Sequence, residues 1–167
     1  MTLYLLRHGI AEDAAPSGAD ADRRLTPAGR ARMRAEAAGM RNLGLAFDVV
    51  LTSPLARAAE TAAIVAAAFP KGPRPRELPE LATDVPAPET LRALGPYLRR
   101  GRILAVGHEP GLSRLASFLL TGSSDALGIA MKKGACIAIE LQAPRLRAGA
   151  TLRWMLTPRQ LRRLADR

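Results

Sequence analysis

The sequence holds a single cysteine, Cys136, among 167 residues. An intramolecular disulfide framework is thereby excluded, and the composition fits a reducing compartment. Aromatic residues are scarce: Tyr4, Phe47, Phe69, Tyr97, Phe118 and Trp154 are spread singly along the chain. That is thin material for stacking single-stranded bases. No apolar run nears the roughly 18 residues of a membrane span. The segment Met1–His8 has too short an apolar part for a signal peptide and no basic run before it. The expectation is a cytoplasmic protein bound to no membrane. Lysine is nearly missing as well, with Lys71, Lys132 and Lys133 set against 22 arginines.

The arginines dominate what is present. Lys and Arg total 25 against 15 Asp and Glu, a net charge of +10. An excess of this size points to an anionic partner of some kind, whether phosphate, nucleic acid or a membrane surface. Apolar residues make up 48% of the chain, enough for a packed core. No repeat or long linker interrupts it, so a single domain over residues 1–167 is expected. The nearest thing to a break is residues 70–88, which hold six of the 13 prolines and read as an irregular surface segment.

Apolar runs and helix signals alternate along the chain. Leu3–Leu6, Phe47–Leu51 and Ile103–Val106 read as buried strands. Thr26-Pro27 places an N-cap and a first-turn proline before Met33, Ala37 and Met40, and Gly44 fits the stop. Ser53-Pro54 repeats the start signal ahead of an Ala-rich helix reaching Phe69. Thr90–Arg100 and Gly111–Leu120 read as further helices, although Gly95-Pro96 interrupts the former. Ala135–Leu141, with Cys136 as a small buried residue, and Leu152–Leu156 read as late strands. Pro144 and Gly149 fall in the loop between them. Arg159–Arg167 reads as a solvated helix face. The alternation predicts a largely parallel sheet covered on both faces, with the late pair adding an antiparallel edge.

Open α/β sheets bind ligands beyond the carboxyl ends of their strands. The first strand runs into Arg7-His8-Gly9, the second into Thr52-Ser53-Pro54 with Arg57 following, and the third into Gly107-His108-Glu109. The only two histidines thus both follow a strand. A lone histidine at a strand end is usually a satisfied polar residue, and an arginine in a first helical turn is usually solvated. Two of each at three strand ends on one edge form the pattern of a ligand site. The chemistry fits a phosphoryl group: arginine offers a planar fork of donors, and a helix starting at Ser53 adds free N–H groups. Gly9 lets the backbone approach an oxyanion. A neutral imidazole can attack phosphorus as a nucleophile. Flanking Arg7 and Arg57 would keep His8 neutral. Two histidines without a paired Cys or H-x-x-x-H spacing fall short of a usual metal ligand set.

These blocks resemble a known family. Leu5-Leu6-Arg7-His8-Gly9, Thr52-Ser53-Pro54-Leu55-Ala56-Arg57-Ala58-Ala59-Glu60-Thr61-Ala62 and Val106-Gly107-His108-Glu109-Pro110 are similar, in order, to the signatures of the histidine phosphatase, or phosphoglycerate mutase-like, superfamily. Asp22-Arg23-Arg24-Leu25-Thr26-Pro27-Ala28-Gly29 resembles the corresponding block of its SixA group of phosphohistidine phosphatases, with Arg24 where proline is usual. The resemblance implies a three-layer α/β sandwich with a mostly parallel central sheet and no large helical insertion. It implies His8 as the phosphorylated nucleophile, and Arg7, Arg57 and His108 as phosphoryl ligands, with Gly9 and Ser53 lining the substrate site. Glu80 stands where acid-bearing relatives place a proton donor, with Asp84 as the neighbouring alternative.

The implied activity is removal of phosphoryl groups from a protein histidine, without metal or other cofactor. The partner would be a phosphorylated protein such as a histidine-phosphotransfer domain or phosphocarrier, and not nucleic acid. Two other readings stand beside it: a phosphatase for a small phosphate ester, and a basic binding module without catalysis.

Overall fold

The computed structural model describes residues 1–142 and 149–166. Pro144, expected in the last loop, and Arg167 lie outside the described residues. Eleven elements follow in the order β1 (Thr2–Arg7), α1 (Pro27–Asn42), β2 (Val49–Thr52), α2 (Ala56–Ala68), β3 (Arg76–Glu77), α3 (Ala87–Leu98), β4 (Arg102–Gly107), α4 (Gly111–Thr121), β5 (Cys136–Glu140), β6 (Thr151–Leu156) and α5 (Pro158–Ala165). Short 3-10 turns at Asp20–Asp22 and Pro79–Leu81 stand between them.

The strands form one six-stranded sheet in the order β3-β2-β4-β1-β5-β6. β3, β2, β4 and β1 are parallel, and β5 and β6 form the antiparallel edge. The central strands are apolar along their length because both faces are covered. Alternate residues divide between two cores. Leu3, Leu5, Leu51, Ile103 and Ile137 pack with Leu94, Leu98, Leu112 and Leu115 of α3 and α4. Tyr4, Leu6, Val50, Leu104 and Cys136 pack with Met33, Ala37, Ala58 and Val65 of α1 and α2, joined by Leu161 of α5. The result is a three-layer sandwich.

Several boundaries follow directly from local chemistry. Thr26 Oγ1 accepts the Gly29 N–H at 2.9 Å, and Pro27 occupies the first helical turn of α1. The second helix differs from expectation. It starts at Ala56 with Leu55 as its cap, because Ser53 turns its hydroxyl elsewhere. α3 starts at Ala87, earlier than Thr90, and keeps Pro96 inside its last turn. There the proline forfeits only one hydrogen bond at an exposed position. β3 was not foreseen, since two exposed residues in a proline-rich segment carry no periodicity. Arg24, standing where proline is usual in the resembling group, uses its amide: the N–H donates to Glu12 Oε2 at 3.3 Å.

α5 is not simply a solvated face. Its Leu161 is fully buried, and a Cβ at Gly39 of α1 would collide with the Leu161 carbonyl, so the two helices touch backbone to backbone. Arg162 of α5 pairs with Glu36 of α1, which is only 2% exposed. Burial pushes the Glu36 carboxyl up, the Arg162 bond and charge pull it back, and it settles at about 7 from an ordinary 4.5. The folded chain therefore holds a proton that the unfolded chain releases across that window. This group's contribution to stability falls as pH rises from 4.5 to about 7. Relative to wild type, Glu36→Gln should gain stability between about pH 5 and about pH 8, by on the order of 2–3 kcal/mol. Urea melts of both proteins at the two pH values measure the difference, and a pH-independent difference would contradict it.

Candidate active site

Register brings the strand ends together. Arg7 of β1 lies opposite Gly107 of β4, and the His8 N–H donates to the Gly107 carbonyl at 3.1 Å. The next residue of each strand is a histidine, so the two imidazoles leave the sheet side by side with ring centroids 5.0 Å apart. Both are nearly buried, His8 at 5% and His108 at 3% exposure. β2 pairs on the other side of β4 and delivers Ser53, whose N–H donates to the Val106 carbonyl at 3.0 Å. Arg57, 3% exposed, stands in the first turn of α2.

The hydrogen bonds set the tautomer of His8. Its Nδ1 lies 2.7 Å from the Gly9 carbonyl, an acceptor only, so Nδ1 carries the proton and Nε2 keeps a free lone pair. His108 Nε2 is 2.9 Å from Ser53 Oγ. Ser53 Oγ also accepts the Leu55 N–H at 3.2 Å, which shapes the approach to α2 without capping it. Arg7 Nη1 donates to the Met131 carbonyl at 2.6 Å. Arg57 donates from Nη1 to the Asp20 carbonyl at 2.8 Å and from Nη2 to Asp20 Oδ2 at 3.0 Å. Arg7 Nε, Arg57 Nε and His108 Nδ1 are buried and have no protein partner. Unsatisfied buried polar atoms of this kind are uncommon, and here they mark a place where a ligand supplies the partners.

Burial lowers the His8 pKa most. The Gly9 carbonyl raises it, the charges of Arg57, Arg7 and Lys133 lower it further, and the result is about 4. Arginine was thus the expected cause, but desolvation outranks it. His108 falls to about 3, through burial first and then through His8, Arg57 and Arg7, with Asp20 opposing. Both rings are neutral at pH 7.

Gly9 plays a different part from the one expected. Its N–H is taken by Thr61 Oγ1 at 3.0 Å, so this amide is not free for an oxyanion. A Cβ there would sit 3.3 Å from Leu25 Cδ2, so the glycine serves close packing. Gly134 matters at long range. At φ +86° it donates its N–H to the Arg7 and His8 carbonyls, at 3.1 and 3.2 Å.

Glu80 lies in the 3-10 turn whose Leu81 carbonyl abuts Gly107, beside the site, and is half-buried. Asp84, exposed at φ +66°, lines another cavity of about 340 Å³ with Arg114 and Asp125. Sequence reasoning assigned no role to Asp20 or the Met131 carbonyl, nor to Thr61, which lies inside the second signature block. Thr61 sits one helical turn after Arg57 and donates to its carbonyl at 2.7 Å, a spacing that could have signalled it. Asp20 and Met131 had no such signal, being 37 and 124 residues from their arginines.

Residues 3–82 match the histidine phosphatase superfamily (branch 1). An uncharacterized protein of Picosynechococcus is 37% identical over 154 residues, covering 89% of this chain and 90% of that one. The chain belongs to the histidine phosphatase superfamily. Its fold matches that of the protein histidine phosphatase SixA complexed with tungstate, with a TM-score of 0.84 at 24% identity over 96% of this chain and 99% of that one. It also matches the alpha-ribazole phosphatase of Shigella flexneri, with a TM-score of 0.76 at 21% identity over 95% and 97% of the two chains. Within the superfamily the chain is therefore SixA-like in fold, and its membership supports a phosphatase activity.

The environment of the two rings makes a direct prediction. They are the only histidines in the chain, so both can be followed by imidazole ¹⁵N NMR. Their midpoints are expected at about 4 and about 3. The unfolded chain protonates them near 6.5, so folding stability should fall as pH drops below that value. Midpoints near the free value would show the rings to be solvated.

Proposed function

We propose that this chain is a phosphatase that uses His8 as its nucleophile and acts on phosphohistidine carried by a protein. The observation that carries the reading is the His8 tautomer. Nδ1–H is spent on the Gly9 carbonyl, and Nε2 faces the reaction beside His108.

The Nε2 lone pair attacks phosphorus and forms a new P–N bond. The bond to the substrate's ring nitrogen breaks, and its electron pair leaves with that nitrogen. Water then attacks the phosphorus of phospho-His8, and His8 regains its lone pair as phosphate departs. Arg7, Arg57 and His108 offset the charge on the equatorial oxygens through their unpartnered N–H groups. Ser53 orients His108, and Glu80, the acid that the family resemblance suggests, would exchange a proton with the leaving group or the water. The positive charges that offset the phosphoryl group are side chains, so the reaction needs no metal or other cofactor.

A protein substrate is supported by what lies between α2 and β4. Only β3, a 3-10 turn and α3 stand there, and α3 packs into the core below the sheet edge. The SixA structure of the same fold holds tungstate, an oxyanion. A second reading, a phosphatase of a small phosphate ester, is favoured by the likeness to an alpha-ribazole phosphatase. A basic module without catalysis is disfavoured because Arg57 is buried and not displayed.

His8→Ala should abolish turnover and the acid-labile phosphoenzyme, and full activity in that variant would overturn the mechanism. A phosphorylated histidine-phosphotransfer protein should be turned over faster than sugar phosphates, with no loss in chelator. The reverse ranking would select the ester reading.

A further inference from the structure

One carboxylate stands over the site without a place in the mechanism so far. Asp20 belongs to the 3-10 turn Asp20–Asp22, 12 residues beyond His8. Its carbonyl and its Oδ2 hold the two Nη groups of Arg57. Its Oδ1 lies 2.9 Å from Arg23 Nε. The Arg57 side chain is 3% exposed and that of Asp20 is 62% exposed, so the carboxylate is the outer member of the pair. Its charge also reaches His108. A carboxylate offers about four lone-pair sites. Arg57 Nη2 takes one on Oδ2 and Arg23 Nε lies against Oδ1 as an ion pair, and with the side chain 62% exposed the carboxylate keeps room for a further donor. Desolvation raises the Asp20 carboxyl, but the Arg57 bond and charge, helped by Arg23, together bring it below its ordinary value, so it stays ionised.

A negative group at the mouth of an anion site calls for a substrate whose leaving group is positive there. A phosphate ester has none. A phosphoimidazole has one, because its distal ring nitrogen binds a proton in the range of an ordinary imidazole, about 6.5. That proton also settles the leaving group. With the distal nitrogen protonated, the scissile nitrogen takes the P–N electron pair and departs as neutral imidazole, its N–H already in place. Without it the ring would leave as an imidazolate and would need a proton at the scissile nitrogen.

We infer that Asp20 is a specificity-determining residue that accepts a hydrogen bond from the protonated distal nitrogen of a phosphohistidine and so selects phosphoimidazole over phosphate esters. The inference rests on the phosphatase reading above and deepens it. Arg23, holding Oδ1, steadies the carboxylate from the opposite side. Asp22 in the same turn accepts a hydrogen bond from Ser17 Oγ at 2.7 Å, whereas Asp20 is the carboxylate bonded to Arg57.

The test compares Asp20→Asn and Asp20→Ala with wild type on two substrates: a phosphorylated histidine-phosphotransfer protein and p-nitrophenyl phosphate. Asn keeps an oxygen for Arg57 and removes the charge. Its kcat/KM should fall about ten- to a hundredfold more on phosphohistidine than on the ester, the range of one charge-assisted hydrogen bond. Ala should lower both activities, because Arg57 also loses a partner, while keeping the selective deficit. Circular dichroism confirms that the variants fold. An equal fall on the two substrates, or no fall with Asn, would overturn the inference and leave Asp20 as a support for Arg57. A wild-type enzyme that cleaves only the ester would overturn the phosphohistidine reading and this inference together. One inert on both substrates would overturn the phosphatase reading itself.

Discussion

Parallel pairing of β1 with β4 is the constraint on which the site rests. Opposing Arg7 to Gly107 leaves His8 and His108 as the first residues beyond the sheet on neighbouring strands. A slip of one residue would turn every side chain of β1 to the other core, exchanging Leu3 and Leu5, which pack with α3 and α4, for Tyr4 and Leu6, which pack with α1 and α2. The packing that holds the fold together therefore also holds the two rings at 5.0 Å. The structure asks for no separate device to bring them together. It adds only local bonds that turn each ring: the Gly9 carbonyl for His8 and the Ser53 hydroxyl for His108.

The electrostatics of the site follow from the same geometry. Strands buried on both faces leave their polar residues only at the ends, where water is partly excluded. Desolvation then becomes the leading influence on both imidazoles, and the arginine charges add to it. Neutral rings beside cationic guanidinium groups suit the approach of a phosphoryl dianion. The cations are not left bare. Arg7 is anchored on the Met131 carbonyl and Arg57 on Asp20, so each presents a defined remaining N–H face. The same logic runs in the opposite direction at Glu36, where burial raises a carboxyl despite the arginine beside it.

The net charge of +10 divides on this view. Two arginines face the site. Others are tied locally, as Arg102 is to Asp48 and Arg30 to Glu60. Such pairs near the surface add little stability each, yet they show that a global excess of arginine says less about function than the position of any one arginine.

Much of the site was legible because strand ends are legible. Apolar runs marked β1, β2 and β4, and the first residues beyond those strands are His8, Ser53 and His108. Helix starts were legible where a hydroxyl caps, as at Thr26, and misplaced where it does not, as at Ser53, whose oxygen turns to a histidine 55 residues away. α5 was misread as a solvated face because the helix touches α1 through Gly39 and Leu161, a contact between backbones that leaves little mark on residue type. By itself, the sequence determined which side chains end the strands, because local hydrophobic patterning sets strand limits. Only the tertiary structure decided that Asp20 and the Met131 carbonyl hold the two arginines, that Thr61 takes the Gly9 amide, and that burial keeps both histidines neutral. Those partners lie far apart along the chain, and burial is a property of the packed whole.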